Sequence, residues 1–495
     1  MLPDCAVKNM STLLLLNIGN SDLLADGARP RSPRPEGKAL WETYEQHQFE
    51  IPIIEPCLRD LLRQQPRIGT ILLFDTDQPP SGAALETDRF GVPLRDKDTV
   101  WFGRIIERYL REQFGDQIGT IKRIDLRDIN PSLYDEAFDA YSRLIAQHYE
   151  ADAKVCHVLM AGGIPACNTA LQLQAISAYG ERCRTIYQPE RGEPYELRVG
   201  SQVLATFRRA TAIDALQRQD FATALTLAKQ VASPAIVGLI SYAYYREAFD
   251  FERAQLALMQ AIREAGGEVR VFLNSLRHEL DDLRTRENIG ALLRELLANA
   301  AITYRNERYA DFLGRVFRFQ EAALRYIVET KLQLPTDMSR DERPVNLPAF
   351  VQGIRDNLLL RDFVEARKVD DQPLRYDEGP NLQVMQALLD YLVLPGVRTD
   401  GTPYLNKADH GRYGEIRKRL NKFSALAQLR NQSIIAHGFA GVSLERLNEA
   451  YSGDSHHLLE DMGKVVQLLD LAAGTSPFER IAGFAAEQMR RGGAQ

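Results

Sequence analysis

Ser11-Thr12-Leu13-Leu14-Leu15-Leu16-Asn17, running into Ile18-Gly19-Asn20-Ser21-Asp22, decides the fold of the first part of this 495-residue chain. A continuous apolar run of this length predicts a strand buried on both faces, because a strand with one wet face alternates. The run stops at a turn of small and polar residues. Three further stretches read as strands: residues 68–74, ending in Asp75-Thr76-Asp77; residues 120–126; and residues 155–160, ending in Ala161-Gly162-Gly163-Ile164-Pro165. Helical patterns fall between them, at about 53–64, 98–114, 132–149 and 166–179. Strand and helix alternate, so the expectation is an α/β unit with a parallel sheet and helices on both faces. Residues 182–188 and 195–207 read as edge strands or a hairpin.

In such sheets ligands bind beyond the carboxyl ends of the strands. Gly19, Asn20, Ser21 and Asp22 sit at one such end, and Gly162, Gly163, Ile164 and Asn168 at another. Gly162-Gly163 lets backbone N–H groups approach a ligand, and the helix behind them presents its positive end. Pro165 suits the first turn of that helix. The competing reading is a pair of ordinary strand-to-helix turns. No G-x-G-x-x-G or Walker sequence is present, which weighs against NAD binding and ATP hydrolysis.

The length predicts two to four domains. Apolar residues make up 45% and charged residues 26%, the proportions of a soluble globular protein. The net charge of -6 provides no global attraction for nucleic acid, so any such contact must rest on a local patch. Residues 1–10 read as an irregular extension. Neither a signal peptide nor an apolar run of spanning length is evident, so no membrane association is expected. The five cysteines, Cys5, Cys57, Cys156, Cys167 and Cys183, form no CxxC pair. That fits reduced thiols in a cytoplasmic protein and gives no metal site.

From residue 210 to about 334 the pattern is helical. An aromatic residue opening a helix recurs at Phe221, Phe251 and Tyr309, an irregular echo of helix-turn-helix repeats that plain helical hairpins explain equally. Residues 333–347 read as a linker or exposed loop. Residues 407–422 are basic: Lys407, Arg412, Arg417, Lys418, Arg419 and Lys422 face only Asp409 and Glu415 within the segment. Such a run is usually a solvated helix face. Its position upstream of the next motif makes Arg417, Lys418 and Lys422 candidates for tracking RNA phosphates. Residues 489–495 read as a frayed tail.

That motif is Arg430-Asn431-Gln432-Ser433-Ile434-Ile435-Ala436-His437-Gly438. Read as one helix, it puts Arg430 and His437 on a shared face, about 20° out of register and about 10 Å apart along the axis. Gly438 reads as the helix stop. Histidine exchanges protons near neutral pH, and arginine offers fixed donors to phosphate oxygens. Asn431 would hold the phosphate or orient the histidine. RNA carries its own nucleophile, the 2′-hydroxyl, so no metal or other cofactor is needed for cleavage. One motif supplies one histidine, and a two-fold homodimer supplies two.

Arg430-Asn431-x5-His437 resembles the Arg-x4-6-His signature of HEPN domains, in which the Arg and His carry metal-independent RNA cleavage. A strand ending in Asn17-Ile18-Gly19-Asn20-Ser21 and a later one ending in Ala161-Gly162-Gly163-Ile164-Pro165 resemble the CARF (CRISPR-associated Rossmann fold) domain, which binds cyclic oligoadenylates. Asn20 departs from the more usual Gly-Thr-Ser turn. Together the two resemble the CARF–HEPN ribonucleases of type III CRISPR systems. The resemblance implies a Rossmann-like sensor at 1–209, a helical region at 210–340 and a helical HEPN-like domain at 341–495. It also implies a cyclic oligoadenylate that switches on cleavage of single-stranded RNA in antiviral defence. Two other classes compete: a non-catalytic, ligand-responsive regulator that binds nucleic acid, and a metabolic Rossmann enzyme with a helical extension.

Overall fold

The computed structural model describes residues 12–81, 87, 91–127, 129–160, 162–189, 192–285, 288–337, 346–369, 371–394, 396–451, 454–471 and 475–492. The expected N-terminal extension, Ala161, most of the 333–347 linker and the last three residues lie outside them. The chain divides into two compact units, residues 1–207 and 208–495.

The first unit is built on a six-stranded sheet: β1 (Thr12–Asn17), β2 (Ile68–Thr76), β3 (Ile118–Leu126), β4 (Val155–Leu159), β5 (Cys183–Tyr187) and β6 (Tyr195–Leu197). Their spatial order is 3-2-1-4-5-6. The first four pairings are parallel, and β6 runs antiparallel to β5. Helices α1 (Pro33–Glu42), α2 (Ile54–Gln64), α3 (Val100–Phe114), α4 (Tyr134–Gln147) and α5 (Pro165–Tyr179) fill the connections. The leucine run of β1 serves both faces. Leu14 and Leu16 pack with α2 and α3, while Leu13 and Leu15 pack with α4 and α5. All four are buried, each worth ~1.5–3 kcal/mol on leaving water. This two-sided burial is why the run does not alternate.

Two expectations fail here. The stretch 195–207 is strand only at Tyr195–Leu197; α6 (Val199–Gln217) begins directly after it. Residues 202–217 contain neither Gly nor Pro, and a breaker-free run of that length favours helix. Helix α1 lies in a stretch where no element was expected, and Pro35 and Gly37 are poor residues for a helix. Pro33 instead takes the first helical turn, where no N–H is needed. Glu36 reaches back to accept from the N–H groups of Arg31 and Ser32, in the manner of a capping box.

The second unit is helical: α7 (Phe221–Ala228), α8 (Pro234–Glu247), α9 (Phe251–Glu264), α10 (Gly267–Arg284), α11 (Ile289–Arg305), α12 (Tyr309–Ile327), α13 (Leu347–Asp356), α14 (Leu358–Glu365), α15 (Leu382–Val393), α16 (Lys407–Lys422), α17 (Ala427–Gln432), α18 (Leu444–Ala450), α19 (His456–Leu468) and α20 (Pro477–Gly492). One apolar core joins α11 and α12 to α15, α16 and α19, and another joins α8, α9 and α10 to α20. The expected fraying from residue 489 is absent, since Met489 is buried and α20 continues to Gly492.

The recurrent aromatic starts mark one turn used three times. Gln219, Phe249 and Glu307 have φ of 59°, 59° and 57°. The N–H of each following residue reaches the carbonyl five positions back: Asp220 to Ala215, Asp250 to Tyr245 and Arg308 to Thr303. This is a Schellman ending that passes straight into the next helix. Asp220 and Asp250 then cap that helix through the N–H groups of Thr223 and Arg253.

Candidate functional site

In the first unit the strand order reverses direction at β1 and β4, the place where an open parallel sheet leaves a crevice. A cavity of about 950 Å³ opens there. It is lined by seven of the eight residues expected at a ligand site: Gly19, Asn20, Ser21, Gly162, Gly163, Ile164 and Asn168. The turns after β1 and β4 touch. A Cβ on Gly19 would stand 2.0 Å from the backbone nitrogen of Gly163. Gly162 and Gly163 have φ of +74° and +72°, a conformation that glycine adopts without a Cβ penalty. Behind them Pro165 opens α5, which has no side-chain cap.

Asp22, the eighth residue, does not line the cavity. It lies fully buried beneath it, where a Cβ on Gly162 would meet its carboxylate at 2.0 Å. One carboxylate oxygen accepts the Gly19 N–H at 2.6 Å, and the other has no partner among the described residues. Burial pushes the Asp22 carboxyl up to about 7, against the pull of the Gly19 N–H and the Arg29 charge.

Asn168 is also committed to holding the turn. Its amide nitrogen donates to the Gly162 carbonyl, and its oxygen accepts from the Asn17 amide at 2.8 Å. The buried Tyr141 hydroxyl donates in turn to the Asn17 oxygen. The sequence reading passed over Asn17 and Tyr141, and over Arg29 and Lys97, which supply cationic lining to the cavity. Asn17 carried a signal, as the polar residue closing an otherwise leucine strand. Tyr141 and Lys97 come from distant segments and had none, and Arg29, seven positions after Asp22, belongs to no motif.

In the second unit the motif at 430–437 is not one helix. Helix α17 ends at Gln432, Ser433 is extended at φ -96° and ψ 168°, and residues 434–437 form a turn. Ser433 makes the break: its hydroxyl donates to the Arg430 carbonyl at 2.8 Å and accepts the Ile435 N–H at 3.4 Å, drawing the backbone off the helix. The chain then folds back. Gly438 N–H donates to the Ser433 carbonyl at 3.2 Å, and Ala440 N–H to the Gln432 carbonyl at 2.9 Å. Gly438 is therefore not a helix stop. Its role is close approach, since a Cβ there would lie 1.9 Å from the Gln432 carbonyl oxygen.

The loop returns His437 toward the end of α17, with the ring exposed and without a hydrogen-bond partner among the described residues. Arg430 is half-buried. Its guanidinium lies 4.6 Å over the Phe317 ring and donates to the Asn431 side-chain oxygen at 3.1–3.2 Å. Packing thus orients the cation while Asn431 and His437 face solvent. The arrangement can hold an anion at Arg430 and exchange a proton at His437.

The basic segment forms α16, and tertiary carboxylates absorb much of its charge. Arg417 pairs with Asp390, which also holds Arg367 at 2.7 Å. Lys422 lies 3.1 Å from Asp461, which also takes Arg419 and the Tyr451 hydroxyl. Burial raises the Asp461 carboxyl, but the Tyr451 hydrogen bond and the Lys422 and Arg419 charges outweigh it and hold the group below the usual carboxylate range. Of the three RNA-tracking candidates, only Lys418 is exposed with no ion pair among the described residues. Asp390 and Asp461 lie 27 to 42 positions from their partners in the chain, so a local charge count could not include them.

No protein-family model and no curated protein matches the sequence. Among solved structures the chain is similar to Enterococcus italicus Csm6 bound to cyclic hexa-2'-fluoro-hexa-dAMP, over 97% of this chain and 99% of that one, at 14% identity and a TM-score of 0.49. Among the described residues, no helix is long and apolar enough to cross a membrane.

Proposed function

We propose that this protein is a cyclic-oligoadenylate-activated, metal-independent endoribonuclease of type III CRISPR antiviral defence, acting in the cytoplasm as a homodimer on single-stranded RNA. The observation that carries the reading is the loop closure at Gly438 and Ala440, which keeps a packed Arg430 and an exposed His437 on one short segment. The cavity of the first unit supports the sensor half. It offers two glycine turns and an uncapped helix N-terminus, with Arg29 and Lys97 beside them, to a ligand of several phosphates.

In the reaction, Arg430 pairs with the scissile phosphate and Asn431 braces the guanidinium. His437 takes the proton of the adjacent 2′-hydroxyl, the 2′-oxygen attacks phosphorus, and the bond to the 5′-oxygen breaks. The leaving oxygen receives a proton from the histidine of a second copy. The products are a 2′,3′-cyclic phosphate and a 5′-hydroxyl. A regulator gripping nucleic acid through α16 is the less favoured reading, because Asp390 and Asp461 already hold Arg417 and Lys422.

The test is labelled single-stranded RNA incubated with the pure protein, with and without cyclic oligoadenylates of several ring sizes. One ring should switch on cleavage that persists in EDTA and spares RNA carrying a 2′-deoxy group at the cut site. Chelator-sensitive cutting, or equal cutting of DNA, sinks the internal-nucleophile mechanism. Indifference to every cyclic oligoadenylate sinks the sensor half.

A further inference from the structure

A second cavity of interest, about 540 Å³, lies in the second unit along α11 and α12. That volume is within the ~300–1,000 Å³ range of small-ligand sites. Its walls are apolar: Leu292 and Leu296 from α11, Ala310 and Gly314 from α12, Phe249 from one of the recurrent turns, and Ile435 from the loop that carries His437. Small residues on successive turns of α12 leave the space open. A Cβ on Gly314 would meet only the Ile435 side chain, at 3.9 Å. One turn along α12, Phe317 carries the Arg430 guanidinium. The groove and the proposed catalytic loop therefore share a wall.

The rim is cationic, with Arg315, Arg318 and Arg325 against Asp311. Arg318 pairs with Glu321 at 2.8 Å, and Arg325 donates to Thr336 at 3.0 Å and lies 3.7 Å from Asp337. Arg315 differs. It is half-buried, donates only to neutral acceptors, the Asn299 side-chain oxygen and the Asp311 carbonyl, and forms no ion pair among the described residues. Burial pulls its pKa below the ordinary arginine value. A half-buried guanidinium that feels the Asp311 and Glu247 charges yet pairs with neither carboxylate, beside an apolar slot, suits a ligand with an anionic group attached to a flat apolar body.

We infer that this groove holds one nucleobase of the RNA strand flanking the scissile phosphate, with that nucleotide's own phosphate paired to Arg315. The inference rests on the ribonuclease reading and adds a subsite to it. The base packs against Phe249 and Ile435, and its phosphate meets the one rim arginine that forms no ion pair among the described residues. Through Ile435, filling the groove steadies the loop that holds His437.

The test uses the full-length, activated protein with Gly314→Leu, which fills the groove while replacing a helix-interior glycine by a better helix former. Ala322→Leu fills the far end as a second variant, and Arg315→Gln removes the charge. Either filling variant should raise KM about 10-fold with little change in kcat, and should flatten the base preference at one position beside the cut. Arg315→Gln should weaken binding and make it less salt-dependent. Folded filling variants with unchanged KM and unchanged base preference overturn the inference. So does a shift in oligomeric state with KM unchanged, which would give the groove to a second copy. If the parent cleaves nothing, the ribonuclease reading fails by itself. The groove is then judged by anisotropy with a 2′-O-methyl oligonucleotide, which the parent should bind about 10-fold tighter than Gly314→Leu. Equal binding overturns it.

Discussion

Asp22 ties the cavity floor to pH. Its carboxyl is raised by burial from 3.8 to about 7, so the folded chain binds this proton more tightly than the unfolded chain does. The resulting stability is fully present below the unfolded pKa and is lost as pH rises through about 7. Asp75, buried beside Arg123 and pushed up to about 8, contributes with the same sign, so the parent profile contains both. The comparison that isolates Asp22 is Asp22→Asn against parent. The variant should lose part of the fall in melting temperature between pH 4 and 8, and a parallel pair of profiles would refute the assignment. At the other site, His437→Ala and Arg430→Ala should each reduce RNA cleavage by ~10²–10⁴. His437 is exposed and lacks a partner among the described residues, so its variant should melt with the parent. Full activity in His437→Ala removes that residue from the site. The types of residue at both sites were legible in the sequence, because glycine pairs and an Arg/His pair are chemically distinctive. The hidden role of Asp22 was not, since burial of a carboxylate beneath a turn leaves no local pattern.

At the scale of elements, the closure of the 433–440 loop is the part most open to test. Gly438→Ala places a methyl group where the Gln432 carbonyl stands, so the loop must open. Cleavage should fall at least ~10-fold, as a misplacement near 1 Å can do, while circular dichroism is unchanged. Parental activity in Gly438→Ala would mean that the closed loop is not the working geometry. The central strands β1 and β2 were readable because strands buried on both faces are written as unbroken apolar runs, whereas β3, at the sheet edge, is interrupted by Lys122, Arg123 and Asp125. The end of α17 was not. The spacing of Arg430 and His437 fits a helix as well as a returning loop, and the deciding contact is a serine hydroxyl competing for the backbone. The three recurrent turns were visible only as aromatic echoes. Their left-handed residues are Gln, Phe and Glu rather than Gly, so the usual punctuation is missing.

For the whole molecule, the loop beside His437 leaves Ile434 72% and Phe439 97% exposed, which is costly for a single copy in water. A homodimer that covers them also brings two histidines together. Light scattering should find a dimer for the parent, and Phe439→Asp should shift it toward monomer with loss of cleavage. A fully active monomer would refute the pairing. The helical cores of the second unit were beyond sequence reading. Periodicity tells which face of α20 is apolar, but nothing local says that it packs with α8, some 240 positions earlier.

The contact between Gly19 and Gly163 reaches past either residue alone. A Cβ on Gly19 would stand 2.0 Å from the Gly163 backbone nitrogen, so no choice of side chain at 163 relieves position 19. A library randomised at position 19 alone should return glycine. One randomised at both positions should return glycine at both, since a Cβ on Gly163 would stand 2.8 Å from the Asn17 Cβ at a φ of +72°. Homologous chains that keep this close approach of the two turns should therefore hold both glycines, although they stand 144 positions apart in the chain.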